Sequence, residues 1–100
     1  MLIGVGRIVL DFYNNTNVTI KHRQLEDLCH DLRKKFNISA LEVADFDDPE
    51  KCVIGFAVVI PETWKSKSAQ DFMDKIRDTI DETAFARVMV EDCDLLSHGH

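Results

Sequence analysis

The feature that most restricts the fold of this chain is a helix that passes directly into a strand. The junction lies in Phe36-Asn37-Ile38-Ser39-Ala40-Leu41-Glu42-Val43. The apolar residues before it fall on one face of a helix: Ile20, Leu25, Leu28, Cys29, Leu32 and Phe36. Asn37 can take the left-handed cap position that glycine more often fills. The pattern therefore predicts a helix and a strand joined without a linker.

Four strands and two helices are predicted in the order β-α-β-β-α-β. Their bounds are strand 2–12, a helix with Thr19 as N-cap, strand 38–46, strand 52–60, a helix beginning at Ser68, and strand 85–95. This order is that of the ferredoxin-like plait, whose first and third strands lie at the centre of the sheet. Here those two strands are the most apolar ones. We therefore predict an α+β fold with a four-stranded antiparallel sheet in the order 4-1-3-2 and both helices on one face.

The length of 100 residues suits a single domain, which we place at residues 1–96, with a flexible tail at 97–100. The longest apolar run, 52–60, is too short to span a bilayer. No basic segment precedes an apolar one at the N-terminus, so no signal peptide is expected. The sequence therefore predicts a cytoplasmic protein.

Three cysteines, Cys29, Cys52 and Cys93, form no closely spaced pair. They are expected to be reduced, buried thiols in a cytosolic protein. His98 and His100 follow an acidic segment and could collect a divalent metal, but a solvated tail is the simpler interpretation. No metal, cofactor or catalytic residue is predicted.

Charge is distributed unevenly along the chain. Residues 1–40 hold six basic and four acidic groups, a net charge of +2, whereas residues 41–100 hold six basic and fourteen acidic groups, a net charge of −8. Such a surface repels nucleic acid and anionic membranes except at a local basic patch. Neither membrane association nor specific DNA binding is therefore expected.

The basic run Lys21-His22-Arg23 falls in the first turn of the first predicted helix. Free backbone N–H groups at a helix N-terminus favour an anion, so a phosphate, a carboxylate or a polyanion could dock there. Cations at this end of a helix are unfavourable, which suggests a use for them. A solvated charge run is the competing interpretation.

The same fold serves in RNA-recognition domains and acylphosphatases, but their motifs are missing. Gly55-Phe56-Ala57 lacks the second aromatic residue of an RNA-stacking strand. The turn 13–17 has neither the glycine nor the arginine of an acylphosphatase. Trp64 is expected either to pack on the second helix or to contact a partner. The motifs thus point away from an enzyme.

Two helices can cover only one face of a four-stranded sheet. The other face would inherit Ile3, Val5 and Val9 together with alternate residues of strand 52–60. A contiguous apolar patch on a small domain usually marks an interface. A homodimer through this face is therefore expected.

Two motifs carry a resemblance to a known family. Thr19-Ile20-Lys21-His22-Arg23 is similar to a Ser-Leu-Lys-acid-Lys-Arg motif, and the junction 36–43 is similar to Phe-Asn-Val-Ser-Val-Ala-Glu-Val. Both motifs are those of the small bacterial YlxP-like proteins, which this chain resembles without gaps from Met1 to about Val59. It departs from them at three positions, which are His22, Gln24 and Pro49.

The resemblance implies a ferredoxin-like fold and a bacterial cytosolic protein whose relatives are often encoded near translation and ribosome-maturation genes. We therefore expect a non-enzymatic binding or assembly module with itself and ribosomal components as partners. The alternative is a regulatory domain that binds a small anion or metabolite at the first helix, using Lys21, His22 and Arg23.

Overall fold

A computed structural model describes residues 1–83 and 86–99 of the chain. Its elements are β1 (Leu2–Asp11), α1 (Val18–Phe36), β2 (Ser39–Ala44), β3 (Lys51–Ile60), α2 (Ser66–Thr83) and β4 (Arg87–Ser97). The predicted order of strands and helices is confirmed.

The four strands form one antiparallel sheet in the order β2-β3-β1-β4. The two apolar strands, β1 and β3, lie at its centre, and they pair along their whole length from Leu2 opposite Ile60 to Asp11 opposite Lys51. This is the α+β, ferredoxin-like arrangement that the element order predicts.

The core lies between the sheet and the two helices. Buried side chains from alternate positions of β1 and β3 meet the apolar stripes of the helices: Ile8, Leu10, Cys52, Ile54, Phe56, Leu25, Leu28, Leu32, Ala69, Met73, Ile76 and Ile80. The alternation follows from the period of two in a strand, which sends every second side chain to the same face. The opposite face of the sheet is therefore left without a covering layer of helices.

Helix α1 begins two residues earlier than predicted. Its N-cap is Asn17, whose side-chain oxygen accepts a hydrogen bond from the N–H of Ile20 at 3.2 Å, so Thr19 lies inside the helix. The amide oxygen of Asn17 and the hydroxyl of Thr19 are both good caps, and the sequence alone does not rank them. The predicted C-cap is confirmed, because Asn37 has a φ of 53° and its N–H donates to the carbonyl of Arg33.

The other element ends also differ from the predicted bounds. Helix α2 starts at Ser66, not at Ser68, and β4 continues through Ser97, which the sequence assigned to a tail. The N–H of His98 donates to the carbonyl of Met1, and the amino group of Met1 donates to the carbonyl of His98. The first predicted residue of the last strand, 85, lies outside the described residues.

Candidate functional site

The first residue of the predicted anion site lies inside the domain. Lys21 has an exposed fraction of 0%, and it is the only buried charged residue in the part of the chain that the structure describes. Four backbone carbonyl oxygens accept hydrogen bonds from its Nζ, those of Asp48 at 2.6 Å, Asp45 at 2.7 Å, Lys51 at 3.0 Å and Phe46 at 3.3 Å. Asp45, Phe46 and Asp48 belong to the connection between β2 and β3, and Lys51 is the first residue of β3.

A carboxylate completes the surroundings of this ammonium group. Glu42, on β2, places Oε2 3.3 Å from Nζ of Lys21 and Oε1 2.8 Å from Nδ1 of His22. Glu42 is largely buried, whereas His22 is about half exposed. The three side chains form one network that joins the first turn of α1 to the edge strand β2.

The connection held by Lys21 is itself well ordered by internal hydrogen bonds. Oδ1 of Asp48 accepts from the N–H groups of Glu50 and Lys51 at 2.9 and 3.1 Å, and these bonds hold its pKa below the usual range. Asn15 reaches across from the loop after β1 and donates to the carbonyl of Pro49 at 2.8 Å. The network of Lys21 therefore fixes the loops at this end of the sheet.

This arrangement corrects the expectation that Lys21 presents a charge to a ligand. Its ammonium has three donors, and oxygen atoms of the protein surround it, so no donor is directed to solvent. Of the three predicted site residues, Arg23 is exposed, His22 is half exposed and Lys21 is buried. Whether His22 and Arg23 contact an anion stays a prediction.

A sequence signal for the burial of Lys21 exists. The buried positions of α1 are Lys21, Leu25, Leu28, Cys29 and Leu32, which follow the helical spacing i, i+4, i+7, i+8 and i+11. Ile20, which the sequence assigned to this stripe, is 46% exposed. An apolar stripe that begins at Lys21, and not at Ile20, matches the buried face of α1.

The basic residues at the other end of α1 are only partly free. Arg33 donates from Nη1 to the carbonyl of Ala40 at 2.8 Å and from Nη2 to Glu26 at 2.7 Å. Lys34 and Lys35 are exposed in the last turn of the helix, where cations interact favourably with the backbone dipole.

The uncovered face of the sheet, here called the open face, carries apolar side chains on all four strands. It carries Ile3, Val5 and Val9 of β1, the residues of the predicted dimer interface, all of which are half-buried. Neighbouring strands add exposed side chains to the same face: Leu41, Val43, Val59, Val90 and Leu96. Val59 is 66% exposed, an unusual position for an apolar residue of a central strand.

The open face is not flat, because it contains a hollow next to Gly55. Gly55 has no side chain, and Val43 lies where a Cβ of Gly55 would point. A hollow of about 280 Å³ lies beside them and is lined in part by Leu41 and Ala57. A protruding apolar side chain of a partner would fit there.

The cysteines have the properties of inert thiols. Burial raises the pKa of Cys29 to about 11 and that of Cys52 to about 12, which leaves both protonated at neutral pH. Burial also raises the pKa of Cys93, on β4. All three are free, as the sequence predicted.

Trp64 packs on the second helix, as one of the two interpretations predicted. Its ring meets that of Phe72 edge to face, with centroids 5.5 Å apart, and Phe72 meets Phe36 in the same way at 5.7 Å. Trp64 is still 40% exposed. Phe72 therefore joins Phe36 of α1 to Trp64, and part of the tryptophan ring stays in solvent.

Two negative findings apply to the described residues. No group of three or more His, Cys, Asp and Glu side chains there is arranged to hold a metal ion. Neither α1 nor α2 combines the length and the apolar composition that a bilayer-crossing helix needs. His100, the second of the two tail histidines, lies outside the described residues.

Comparison with family models decides which family this fold and sequence represent. The model described as "Protein of unknown function (DUF503)" matches residues 3–93. The chain belongs to this family. The matched range of the DUF503 domain runs from β1 into β4, so it includes the buried Lys21 network and most of the open face but not Asp94 or Leu96. Recognition of a family without an assigned function is confirmed, and the YlxP-like assignment stays a prediction.

Other comparisons add little to the DUF503 assignment. No curated protein matches the chain. Two solved structures of 3-hydroxy-3-methylglutaryl-coenzyme A reductase from Streptococcus pneumoniae, one of them a class II enzyme bound to NADPH, are similar at 9% identity and a TM-score of 0.46. The alignments cover 92% and 94% of this chain but only 25% and 29% of the reductase chains. The chain thus spans little more than a quarter of these enzymes.

Proposed function

We propose that this domain is a non-enzymatic binding and assembly module that forms a homodimer through the open face of its sheet. The observation that carries the proposal is the exposure of apolar side chains across that face, with Val59 at 66%, Leu41 at 52% and Leu96 at 50%. Exposed apolar area on this scale favours association because burying it removes contact with water.

The face is a better candidate for self-association than the sheet edges. The edge strand β4 carries Glu91, Asp92 and Asp94, and two such edges side by side would bring like charges together. The other edge, β2, is only six residues long. Packing face to face avoids pairing one β4 edge with another and covers the central strands of both copies.

The proposed setting is the bacterial cytoplasm, in association with translation or ribosome maturation. Its support is the resemblance to the YlxP-like proteins and the three free thiols, which suit a reducing compartment. A ribosomal contact would use the exposed cations of α1, which are Arg23, Lys34 and Lys35. No observation favours the alternative of an anion-binding regulatory domain, because Lys21 is bonded within the protein.

Sedimentation velocity of the full chain over a concentration series tests the homodimer. We expect a dimer mass for the wild type at tens of micromolar and a monomer for Val5→Glu and Val59→Glu, since a buried carboxylate opposes association. Val59 is the safer of the two for folding because its side chain is exposed in the monomer. Ile20→Glu, an equally apolar exposed position on α1, is the matched control and should stay dimeric. A monomeric wild type would contradict the proposal.

Co-sedimentation with ribosomal particles from a bacterial lysate tests the cellular setting separately. At low salt the wild type should sediment with the particles, and a variant with Arg23, Lys34 and Lys35 replaced by alanine should not, since phosphate contacts dominate such binding. Lys34 and Lys35 complement the backbone dipole of α1, so the variant should melt a few degrees below the wild type and still be folded at the temperature of the assay, which circular dichroism checks. Failure of the wild type to co-sediment would remove the ribosomal partner without affecting the dimer.

A further inference from the structure

Three charged side chains interrupt the apolar open face, one on the central strand β1 and two on the neighbouring edge strand β4. Arg7, on β1, alternates with Val5 and Val9 and is exposed on the same face. Directly opposite Arg7 on β4 is Asp92, and opposite Val5 is Asp94. Cross-strand partners project to the same side of a sheet, so one cation and two carboxylates share this region.

These charges make no ion pair with the residues in the described ranges 1–83 and 86–99. The ion pairs and side-chain hydrogen bonds of the described residues include none from Arg7, Asp92 or Asp94. Each of the three side chains is exposed. A cation and two carboxylates on adjacent strands thus keep their charges available to a molecule that covers the open face.

The pattern complements itself. In a dimer with two-fold symmetry, the same patch of both copies meets, so any contact from one residue to another forms twice. The arginine of each copy can then face the two aspartates of the other copy. Gly55, which pairs with Arg7 on the β3 side, lines the hollow of about 280 Å³ in the open face, so an incoming side chain has room close to Arg7.

We propose that a second copy of this chain is recognised through reciprocal ion pairs between Arg7 of each copy and Asp92 and Asp94 of the other. This inference rests on the proposed homodimer and adds the groups that set its orientation. Charged groups at an interface contribute more to specificity and to the choice of partner than to affinity, while the apolar residues supply the affinity. A polyanion fits the same region poorly, because two carboxylates lie beside the single cation.

Charge exchange between two variants tests the pairing. Arg7→Asp alone, and Asp92→Arg with Asp94→Arg, each place like charges opposite one another in their own homodimers. We expect the dimer dissociation constant of each variant to rise by about tenfold or more. An equimolar mixture should recover the dimer mass, because in the heterodimer every arginine meets an aspartate. Native mass spectrometry separates this heterodimer from both homodimers by mass.

The outcomes separate the two proposals. A dimeric wild type whose variants dimerise equally well, or whose mixture forms no heterodimer, overturns the Arg7 pairing and leaves the open-face dimer intact. A monomeric wild type overturns both. Arg23→Asp, a charge reversal on α1 away from the sheet, is the matched control and should leave the dissociation constant unchanged. Circular dichroism of each variant confirms that the fold is kept.

Discussion

Lys21 and Glu42 form an ion pair that lies inside the domain, with Nζ of the lysine 3.3 Å from Oε2 of the glutamate. The lysine comes from the first turn of α1 and the glutamate from the edge strand β2. The same ammonium donates to carbonyls of the following connection, so one side chain links helix, strand and loop. The first residue of the basic run Lys21-His22-Arg23 therefore belongs to the interior of the domain.

Replacing Lys21 by methionine should strongly destabilise the fold. Methionine keeps most of the apolar stem but leaves Glu42 and several carbonyls without a cationic partner, and breaking a buried pair from one side costs about 3–5 kcal/mol. The measurement is the free energy of unfolding in urea. Lys34→Met, an exposed position on the same helix, is the control and should change it by less than about 0.5 kcal/mol. Equal effects at the two positions would contradict the role of Lys21.

Leu28 and Ile76 test the helix layer. Their side chains are 3% and 0% exposed, and both belong to the core between the sheet and the helices. Truncation to alanine at either site should lower the free energy of unfolding by about 2–5 kcal/mol, because lost burial and a new cavity add together. Losses below about half a kcal/mol at both sites would mean that these helix faces are not buried.

Two glycines of β1 should respond differently to alanine. A Cβ at Gly6 would meet three atoms of the Phe56 ring, the nearest at 2.1 Å, whereas a Cβ at Gly4 would meet the thioether sulfur of Met73 at 2.5 Å and Cγ1 of Val58 at 2.9 Å. A methionine side chain adapts more readily than a packed ring. We expect Gly6→Ala to cost about 1–3 kcal/mol and Gly4→Ala less, measured by urea unfolding.

A second substitution distinguishes steric overlap from other effects at Gly6. If the Phe56 ring causes the loss, Phe56→Leu should cost less in the Gly6→Ala background than in the wild type, which gives a favourable coupling in a double-mutant cycle. Additive effects would indicate that the ring is not the obstacle.

The buried thiols predict a loss of stability in alkaline solution. Burial raises the pKa of Cys29 to about 11 and that of Cys52 to about 12, while the thiols of the unfolded chain keep a value near 9.0. From about pH 9 to pH 11 the unfolded state releases protons that the folded state keeps, so the free energy of unfolding falls by up to about 1.4 kcal/mol per pH unit for each thiol. Below about pH 8 neither thiol contributes a dependence.

The control for this pH effect is a variant with Cys29 and Cys52 replaced by alanine. It is less stable at every pH, but its free energy of unfolding should decline less steeply above about pH 9 because two of the titrating groups are gone. Urea unfolding at several pH values gives both slopes. Parallel slopes for the wild type and the variant would show that other groups cause the decline.

The element order and the strand order could be predicted from the sequence because they depend on local, periodic signals. The apolar stripe of α1 and the left-handed cap at Asn37 set the junction with β2. The apolar runs of β1 and β3 place these strands at the centre of the sheet, since only central strands are covered by neighbours on both edges.

The ends of the helices and strands were harder to predict from the sequence, because local signals compete there. Asn17 and Thr19 are both acceptable caps, and only the observed bond from Asn17 to the N–H of Ile20 decides between them. Strand β4 reaches Ser97 because β1 offers a partner at Leu2. Pairing with β1 therefore extended β4 beyond the end that the residues of β4 themselves indicate.

The sequence by itself determined the fold class and the helix–strand junction, since both depend on periodic and capping residues that are close together along the chain. Only the tertiary structure decided the role of Lys21, whose partners Glu42 and Asp48 lie 21 and 27 positions away. A lysine in the first turn of a helix has the same local pattern whether its ammonium meets water or a ring of carbonyl oxygens. The difference arises only when the β2–β3 connection folds over it and removes water from the charge.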